Sequence, residues 1–356
     1  MRETQTIPAD ATENEAYLDG LDTSAEEQRE LEKKQKNQGT KGDKIYIAVM
    51  AVLNIAVLVF IAWWLHSTHN WNDYEALKPE DAVPEEVCYQ VQSAMSPFLS
   101  PTYRGVKFPE GIRQKFQPIY SVNQETIGWI RIDGTGIDFP VMHTDDNEKY
   151  NRANFYLQED HRGSIWMDYR NTVGVDSGSL SRVTILYGHH LTTDERIFAE
   201  LEEYMDVAYY KAHPVIKMDT LYNDYTWKIF ACFVSNVDAK DDNGHVFYYW
   251  DPYITEEKMP AFTGEILSRS FFINPDVDIL PTDKLLCLST CTYMMNKPDY
   301  VDARCVVVAR LARPGELLAV NVDNAYQNDA RRMPQLWYTQ NGLSNPYATV
   351  PVFNEF

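Results

Sequence analysis

The amino-acid sequence predicts a mostly β protein, in which a closed β-barrel with added helices follows one transmembrane helix and a helical stalk. Three observations lead to this prediction. Short runs rich in β-branched residues alternate with turn signals over residues 111–312. Only two segments among them carry helix signals, and many short strands with few helices favour closure into a barrel. Residues 45–65 form an apolar run without a charge.

The first 110 residues divide into three predicted parts. Residues 1–44 are polar and acidic, which is typical of a disordered or loosely helical tail. Residues 45–65 have the length of a transmembrane helix, because about 20 apolar residues span the ~30 Å hydrocarbon core of a bilayer. Residues 66–110 contain five prolines, which predict an interrupted helical stalk outside the membrane.

The charges that flank residues 45–65 predict the orientation of the span. Five lysines lie between positions 33 and 44, whereas residues 66–85 contain only Lys78. The positive-inside rule then places the N-terminus in the cytoplasm and residues 66–356 outside the cell. A cleaved signal peptide fits less well, because no small-residue cleavage site follows the apolar run. We therefore expect a single-pass protein of the cell membrane.

Residues 111–312 predict eight strands and two helices. The strands are expected at 127–132, 137–142, 163–170, 183–190, 215–221, 225–235, 284–293 and 303–311. The helices are expected at 195–205, with Asp194 as N-cap, and at 255–270, with Thr255 as N-cap. Residues 313–356 form a C-terminal extension that is rich in Asn and aromatic residues, so we expect part of it to pack on the barrel.

Charge and cysteine content exclude several classes of function. The net charge of −20 argues against nucleic acid, whose phosphates require a basic patch. The cysteines are odd in number, so at least one thiol stays unpaired within the chain. They are Cys88, Cys232, Cys287, Cys291 and Cys305. No CxxC pair occurs and no second ligand pair accompanies them, so we expect neither a metal nor a cofactor.

Three predicted strand ends carry side chains suited to covalent catalysis. Cys291 lies where the strand 284–293 runs into a loop, and Arg304 opens the following strand, so a hairpin-like return would bring the guanidinium near the thiol. A third strand ends at His189 and His190, which face opposite ways in extended chain. Gly188 allows close approach and favours His189. Together these ends could supply a nucleophile, a charge stabiliser and a general acid/base.

Each of these residues also has an ordinary structural interpretation. A cysteine by itself is more often a small core residue than a nucleophile. The two histidines could lie on the surface at the start of a loop, and the arginine could point into solvent at a strand edge. Cys232 and Cys287 are expected in the core, and Cys305 is expected on the face opposite to its neighbour Arg304.

Five motifs occur in a fixed order along the chain. They are Asp146-Asn-Glu-Lys-Tyr150, Gly163-Ser-Ile-Trp-Met-Asp-Tyr-Arg-Asn171, Ile185-Leu-Tyr-Gly-His189, Leu288-Ser-Thr-Cys291 and Asp302-Ala-Arg-Cys-Val-Val-Val-Ala309. In this order the sequence resembles class B sortases, the membrane-anchored cysteine transpeptidases of Gram-positive bacteria, over residues 111–312. The resemblance implies a closed sortase-type β-barrel.

The resemblance also implies roles for the three strand-end residues. Cys291 would attack the carbonyl of the Thr in a C-terminal sorting signal and form a thioester acyl-enzyme. His189 would protonate the leaving amine and later deprotonate the incoming one. Arg304 would stabilise the oxyanion and the substrate backbone.

The same resemblance implies the partners. Asn147, Ser289 and Thr290 match positions that line the groove for the sorting-signal peptide of secreted surface proteins. The acceptor would be an amine of a peptidoglycan precursor or, in a pilin-polymerising class B sortase, a pilin lysine. A catalytically inactive, membrane-anchored interaction barrel and a cysteine peptidase are the other interpretations.

The extension carries one further pattern. Residues 344–349 contain Asn345-Pro346 followed by Thr349, which loosely resembles the Asn-Pro sorting signals of class B substrates. Two hypotheses follow: the segment lies near the groove and competes with substrate, or the extension packs on the barrel and the likeness is coincidental.

Overall fold

A computed structural model describes residues 12–69, 77–79, 105–191, 197–238, 246–295 and 301–353. The chain forms two compact units, Met1–Ala76 and Leu77–Phe356. The first contains one long helix, α1, at Thr12–His69. Residues 12–44 are therefore helical. This agrees with the second of the two alternatives for the tail, a loosely helical segment. Most of the predicted stalk lies outside the described residues.

Helix α1 contains an apolar segment suited to a membrane. Lys44–Ile61 has a mean hydropathy of 2.4, and none of it is buried among the described residues. Length and composition together therefore agree with a membrane span, since 18 residues of helix rise about 27 Å.

The second unit contains ten strands and four α-helices among its described residues. The strands are β1 Thr126–Arg131, β2 Asp138–Met142, β3 Ile165–Met167, β4 Val183–Tyr187, β5 Val215–Thr220, β6 Thr226–Asn236, β7 Phe272–Ile273, β8 Leu285–Thr292, β9 Ala303–Leu311 and β10 Tyr326–Gln327. The helices are α2 Gln117–Val122, α3 Val207–Ala212, α4 Met259–Arg269 and α5 Gln335–Gln340. Short 3-10 helices lie at Gln114–Phe116, Lys149–Asn151, Ser177–Ser179 and Ala199–Met205.

Eight of the strands close into a barrel in the order β1-β2-β3-β4-β8-β9-β6-β5, and β5 pairs with β1. The pairs β2–β3 and β4–β8 are parallel, and the other barrel pairs are antiparallel. The closed β-barrel with added helices that the sequence predicted is confirmed. Closure leaves no open strand edge, which removes the tendency of exposed edges to pair with other chains.

Helix α4 packs on a cluster of buried side chains from β4, β6, β8 and β9. Its Met259, Phe262 and Ile266 are spaced three and four residues apart, so they share one helical face, and all three are at most 1% exposed. Burying a side chain of this size stabilises the fold by about 1.5–3 kcal/mol. Cys287 belongs to the same cluster, so its predicted place in the core is confirmed.

Four predicted elements differ from the structure by more than one residue at a boundary. Helix α4 begins at Met259 because Pro260 suits its first turn, while Thr255 accepts backbone bonds in a preceding turn instead of capping the helix. The strand expected at 163–170 stops at Met167, because the Asp168 carboxylate accepts the amide of Arg170 and starts a turn.

The segment expected as a helix at 195–205 is a 3-10 helix from Ala199 to Met205, and its predicted cap, Asp194, lies outside the described residues. The strand expected at 183–190 ends at Tyr187. Its last three predicted residues leave the ladder at the sheet edge that carries the candidate chemistry.

The C-terminal extension packs on the barrel, as predicted. Its strand β10 pairs with β7, and Val352 and Phe353 contact the cluster beneath α4. Between these two contacts along the chain, Gln340 donates a hydrogen bond to the carbonyl of Met295, just beyond β8. The Asn345 side chain bonds Gln335 and the amide of Tyr347, so this Asn-Pro segment is held within the extension itself.

Candidate active site

Strands β8 and β9 place Cys291 directly opposite Arg304. The two residues are Cα partners in the antiparallel ladder, so their side chains lie on the same face. The hairpin-like return expected from the sequence therefore brings thiol and guanidinium together. The Cys291 side chain is partly exposed, as a nucleophile must be, and the Arg304 side chain is 24% exposed.

Strand β4 delivers the two histidines to the same edge. It runs parallel to β8, and the last ladder pair joins Tyr187 to Ser289. The Gly188 amide then donates to the Ser289 carbonyl over 3.2 Å, and the Thr290 hydroxyl donates to the Gly188 carbonyl over 2.7 Å. Both contacts fix the backbone immediately before His189.

The imidazole of His189 has a defined orientation. Its Nε2 lies 2.8 Å from the backbone carbonyl of Asn151, and its ring centroid lies 6.1 Å from that of Trp166. Because a carbonyl oxygen only accepts hydrogen bonds, Nε2 must carry a proton in this arrangement. Nδ1 is therefore the nitrogen that can take up and release a proton.

His190 occupies a different environment. Its Nδ1 lies 3.1 Å from the carbonyl of Cys291 and 3.7 Å from Glu202 Oε1. The ring also contacts that of Tyr293 edge-on, with centroids 5.3 Å apart. The backbone ladder of β8 and β9 places Cys291 opposite Arg304, whereas the His190 ring bonds the Cys291 carbonyl.

Burial sets the protonation of the thiol. It raises the pKa of Cys291 above its ordinary value, Arg304 opposes this, and the carboxylate of Asp302 adds to it. The thiol is therefore mostly protonated at neutral pH, and attack requires that its proton be removed.

The guanidinium stays charged. Burial alone would lower the pKa of Arg304, but Cys291, Tyr249 and Asp302 together hold it above its ordinary value. The Nη1 atom of Arg304 donates to the Asp302 carboxylate and to the Ala303 carbonyl. A fixed positive charge therefore lies beside the candidate nucleophile.

All three predicted substrate-binding residues form hydrogen bonds within the protein. Ser289 and Thr290 are each 1% exposed; the Ser289 hydroxyl bonds Tyr249 OH at 2.7 Å, and the Thr290 hydroxyl bonds the Gly188 carbonyl. The half-buried Asn147 donates to Asp168 Oδ2 at 3.2 Å. Their part in substrate binding stays a prediction.

Sequence reasoning missed three residues around the site. Asp302 pairs with Arg304 two positions later, a spacing that places both on one face of a strand and could have signalled the pair. The buried Asp168 accepts bonds from Arg170 and Tyr187, and fully buried Tyr249 comes from the irregular segment before α4. The position of Tyr249 follows from the fold alone.

The remaining described cysteines lie away from the candidate nucleophile. Cys287 is fully buried, and burial raises its pKa to about 12. Cys305 faces away from Arg304, as predicted, and its Sγ lies 3.8 Å from that of Cys232, which is also buried. Cys88 lies outside the described residues.

Comparison with known proteins identifies the family. Residues 130–312 match the family model of the sortase domain, which is about half of the chain.

The chain belongs to the sortase family.

The relatives of this sortase extend the similarity. Sortase B of Staphylococcus aureus is 27% identical over 270 residues, which covers 76% of this chain and 98% of that relative. Sortase B of Listeria monocytogenes is 28% identical over 201 residues, which covers 56% of this chain and 75% of that relative. The resemblance to class B sortases is thereby confirmed, and this sortase is a cysteine transpeptidase.

Two solved structures of sortase B are also similar to this chain. The Staphylococcus aureus sortase B–substrate complex is 28% identical to this sortase over 65% of this chain and 95% of that one, with a TM-score of 0.49. Sortase B of Clostridium perfringens is 28% identical over 55% of this chain and 98% of that one, with a TM-score of 0.47. The C-terminal extension lies beyond the residues that the family model matches.

Proposed function

We propose that this sortase cleaves a C-terminal sorting signal after Thr and transfers the protein to an amine of a peptidoglycan precursor, with Cys291, His189 and Arg304 as catalytic residues. The direct pairing of Cys291 with Arg304 at the edge where β4 ends is the observation that supports the proposal most strongly. A nucleophile, a fixed positive charge and a titratable imidazole are the groups that acyl transfer from a peptide requires.

In the first half-reaction, the Cys291 proton passes to His189 and the thiolate attacks the carbonyl carbon of the substrate Thr. The oxyanion that forms is stabilised by the Arg304 guanidinium, which can offer two N–H donors at once. The C–N bond then breaks, the His189 imidazolium protonates the leaving amine, and a thioester links the substrate to Cys291.

In the second half-reaction, an acceptor amine attacks the thioester carbonyl and gives its proton to His189. The C–S bond breaks, the new amide leaves, and His189 returns the proton to the Cys291 thiolate. No oxidant or external energy source is needed, because one amide bond replaces another through a thioester.

Substrate groove and location form the rest of the proposal. We expect Asn147, Ser289 and Thr290 to shape the groove, the latter two through the backbone of β8, because their hydroxyls already bond protein groups. We also propose that α1 spans the cell membrane with a cytoplasmic N-terminus, since lysines precede Lys44–Ile61 and few follow it.

Trapping of the acyl-enzyme tests the assignment of the nucleophile. Incubation with a sorting-signal peptide in the absence of amine should add the N-terminal part of the peptide to Cys291, as seen by intact mass. Cys291→Ala should abolish both the adduct and turnover, whereas Cys287→Ala, a matched control four residues earlier on the same face, should retain most activity. Near-normal turnover by Cys291→Ala would refute the proposal. Comparing peptidoglycan-like and pilin-like amines as acceptors would then decide between cell-wall anchoring and pilin polymerisation.

A further inference from the structure

Backbone pairing between β4 and β8 stops just before the candidate catalytic residues. The last ladder pair is Tyr187 with Ser289, and the Gly188 amide adds one more bond to the Ser289 carbonyl. Cys291 lies two residues beyond that ladder pair, and His189 also lies two residues beyond it. Something other than the ladder must therefore hold the two chain segments together where their relative position matters most.

Side chains continue the connection where the ladder ends. The Thr290 hydroxyl donates to the Gly188 carbonyl over 2.7 Å. The next residue of β8, Cys291, has its carbonyl bonded by His190 Nδ1 at 3.1 Å. Two residues later, the Tyr293 hydroxyl donates to the His190 carbonyl over 2.9 Å. The three bonds alternate in direction, so each segment holds the other.

His190 is the centre of this arrangement. Because the Cys291 carbonyl only accepts, Nδ1 of His190 must carry the proton of their bond. That proton is present in one neutral tautomer and in the charged imidazolium, so the bond survives in both protonation states. The Tyr293 ring lies edge-on to the His190 ring, with centroids 5.3 Å apart, and limits its rotation.

A carboxylate completes the surroundings of the imidazole. Glu202 Oε1, from the 3-10 helix Ala199–Met205, lies 3.7 Å from His190 Nδ1. This oxygen is buried and has no hydrogen-bond partner among the described residues. A buried carboxylate oxygen without a partner is costly, and a proton on Nδ1, 3.7 Å away, offsets part of that cost. Glu202 therefore favours the tautomer that bonds the Cys291 carbonyl.

We propose that His190 is a positioning residue that, with Tyr293 and Glu202, fixes the Cys291 peptide against the segment bearing His189. The inference rests on the proposed roles of Cys291 and His189. It assigns to adjacent histidines two different tasks: His189 transfers protons, and His190 bonds the backbone that carries the nucleophile.

The physical consequence concerns the direction of the thiol. Rotation of the peptide after Cys291 would swing its Cα–Cβ bond, and with it the distance between Sγ and His189. Reacting groups must be held within a few tenths of an ångström, since a displacement of 1 Å can lower the rate about 10²-fold. The bond from His190 acts on orientation, so its loss should lower kcat and leave substrate binding unchanged.

Two substitutions at position 190 show whether the site requires only a hydrogen-bond donor or the whole imidazole ring. The amide nitrogen of Asn is attached to Cγ, as Nδ1 of His is, so His190→Asn can keep the bond to the Cys291 carbonyl but cannot transfer a proton. His190→Ala removes the donor. In the full chain, we expect His190→Ala to lower kcat for peptide transfer about 10-fold with KM unchanged, and His190→Asn to restore kcat to within about threefold of wild type. Tyr293→Phe, which removes only the bond to the His190 carbonyl, should give a smaller loss of kcat.

Three results would overturn the inference. If His190→Asn is as impaired as His190→Ala, the imidazole itself is required and His190 is more than a positioning residue. If His190→Ala keeps wild-type kcat, the bond to the Cys291 carbonyl does not matter for the reaction. Failure of the proposed function is detected separately, because Cys291→Ala or His189→Ala would then remain active. Thermal unfolding of each variant shows whether the protein is folded, and a KM that rises while kcat stays constant would also contradict a positioning role.

Discussion

Substitution of Gly188 by alanine tests how closely β4 must approach its surroundings to present His189. A Cβ at this position would lie 2.6 Å from Cδ2 of Phe198 and 2.9 Å from Cγ2 of Ile197. Phe198 is fully buried, and β8 holds both backbone groups of Gly188: its amide donates to the Ser289 carbonyl, and its carbonyl accepts from the Thr290 hydroxyl. Neither the Phe198 ring nor the Gly188 backbone can therefore move away without losing packing or hydrogen bonds.

The expected cost follows from these contacts. Overpacking of a buried site destabilises a protein by about 1–3 kcal/mol. For a domain of this size, that corresponds to a fall in Tm of roughly 2–12 °C. Relief of the clash would also shift His189, which directly follows Gly188, so we expect kcat/KM to fall by roughly 10-fold or more.

Gly264 provides a matched control. It lies on the exposed side of α4, where an added Cβ would meet none of the described residues within 4 Å. Gly264→Ala should stabilise the protein by roughly 0.5–1 kcal/mol, because alanine suits a helix interior better than glycine, and should leave turnover unchanged. Thermal unfolding and a peptide-transfer assay on both variants provide the measurement. Wild-type Tm and kcat/KM in Gly188→Ala would show that the close approach at this position does not matter.

Three further predictions concern the site and the extension. Arg304→Lys keeps the charge but loses the planar fork, so it should lose roughly 3–4 kcal/mol of transition-state stabilisation, and activity within about threefold of wild type would show that charge alone suffices. Because burial and Asp302 raise the pKa of Cys291, its alkylation by iodoacetamide should be slow at pH 7 and should still be rising at pH 9, the ordinary thiol pKa; a plateau below pH 8 would contradict this. Deletion of residues 314–356 should lower Tm and leave KM for a sorting peptide unchanged, because the extension packs on the barrel; a lower KM with unchanged Tm would instead support competition with substrate.

The barrel and the Cys–Arg pair could be predicted from sequence because both depend on local patterns. Strand β9 has the predicted bounds, Ala303–Leu311, since its valine-rich run leaves no other interpretation. Cys291 and Arg304 lie at the ends of two consecutive antiparallel strands, so a hairpin places them opposite each other.

Other features of the site and the fold could not be predicted from local patterns. The hydroxyl of Ser289 bonds Tyr249, which comes from an irregular segment 40 residues earlier, and no periodicity reveals that contact. The start of α4 was misplaced because Thr255 has the composition of an N-cap, whereas Pro260 determines where the first turn begins. Two local signals for a helix start compete in this segment, and the residue types alone do not rank them.

The parallel pairing of β4 with β8 also bears on the order in which this protein folds. Cys291 and Arg304 approach each other within one hairpin, which closes a short loop. The bond between Thr290 and Gly188, by contrast, joins residues 102 positions apart, and the entropic cost of closing a loop grows with its length. Contacts so distant in sequence are expected to form slowly. The proposed nucleophile and its positive charge should therefore meet early in folding, while His189 arrives only when the barrel closes. A partly folded chain would then present the Cys291 thiol without its proposed proton carrier.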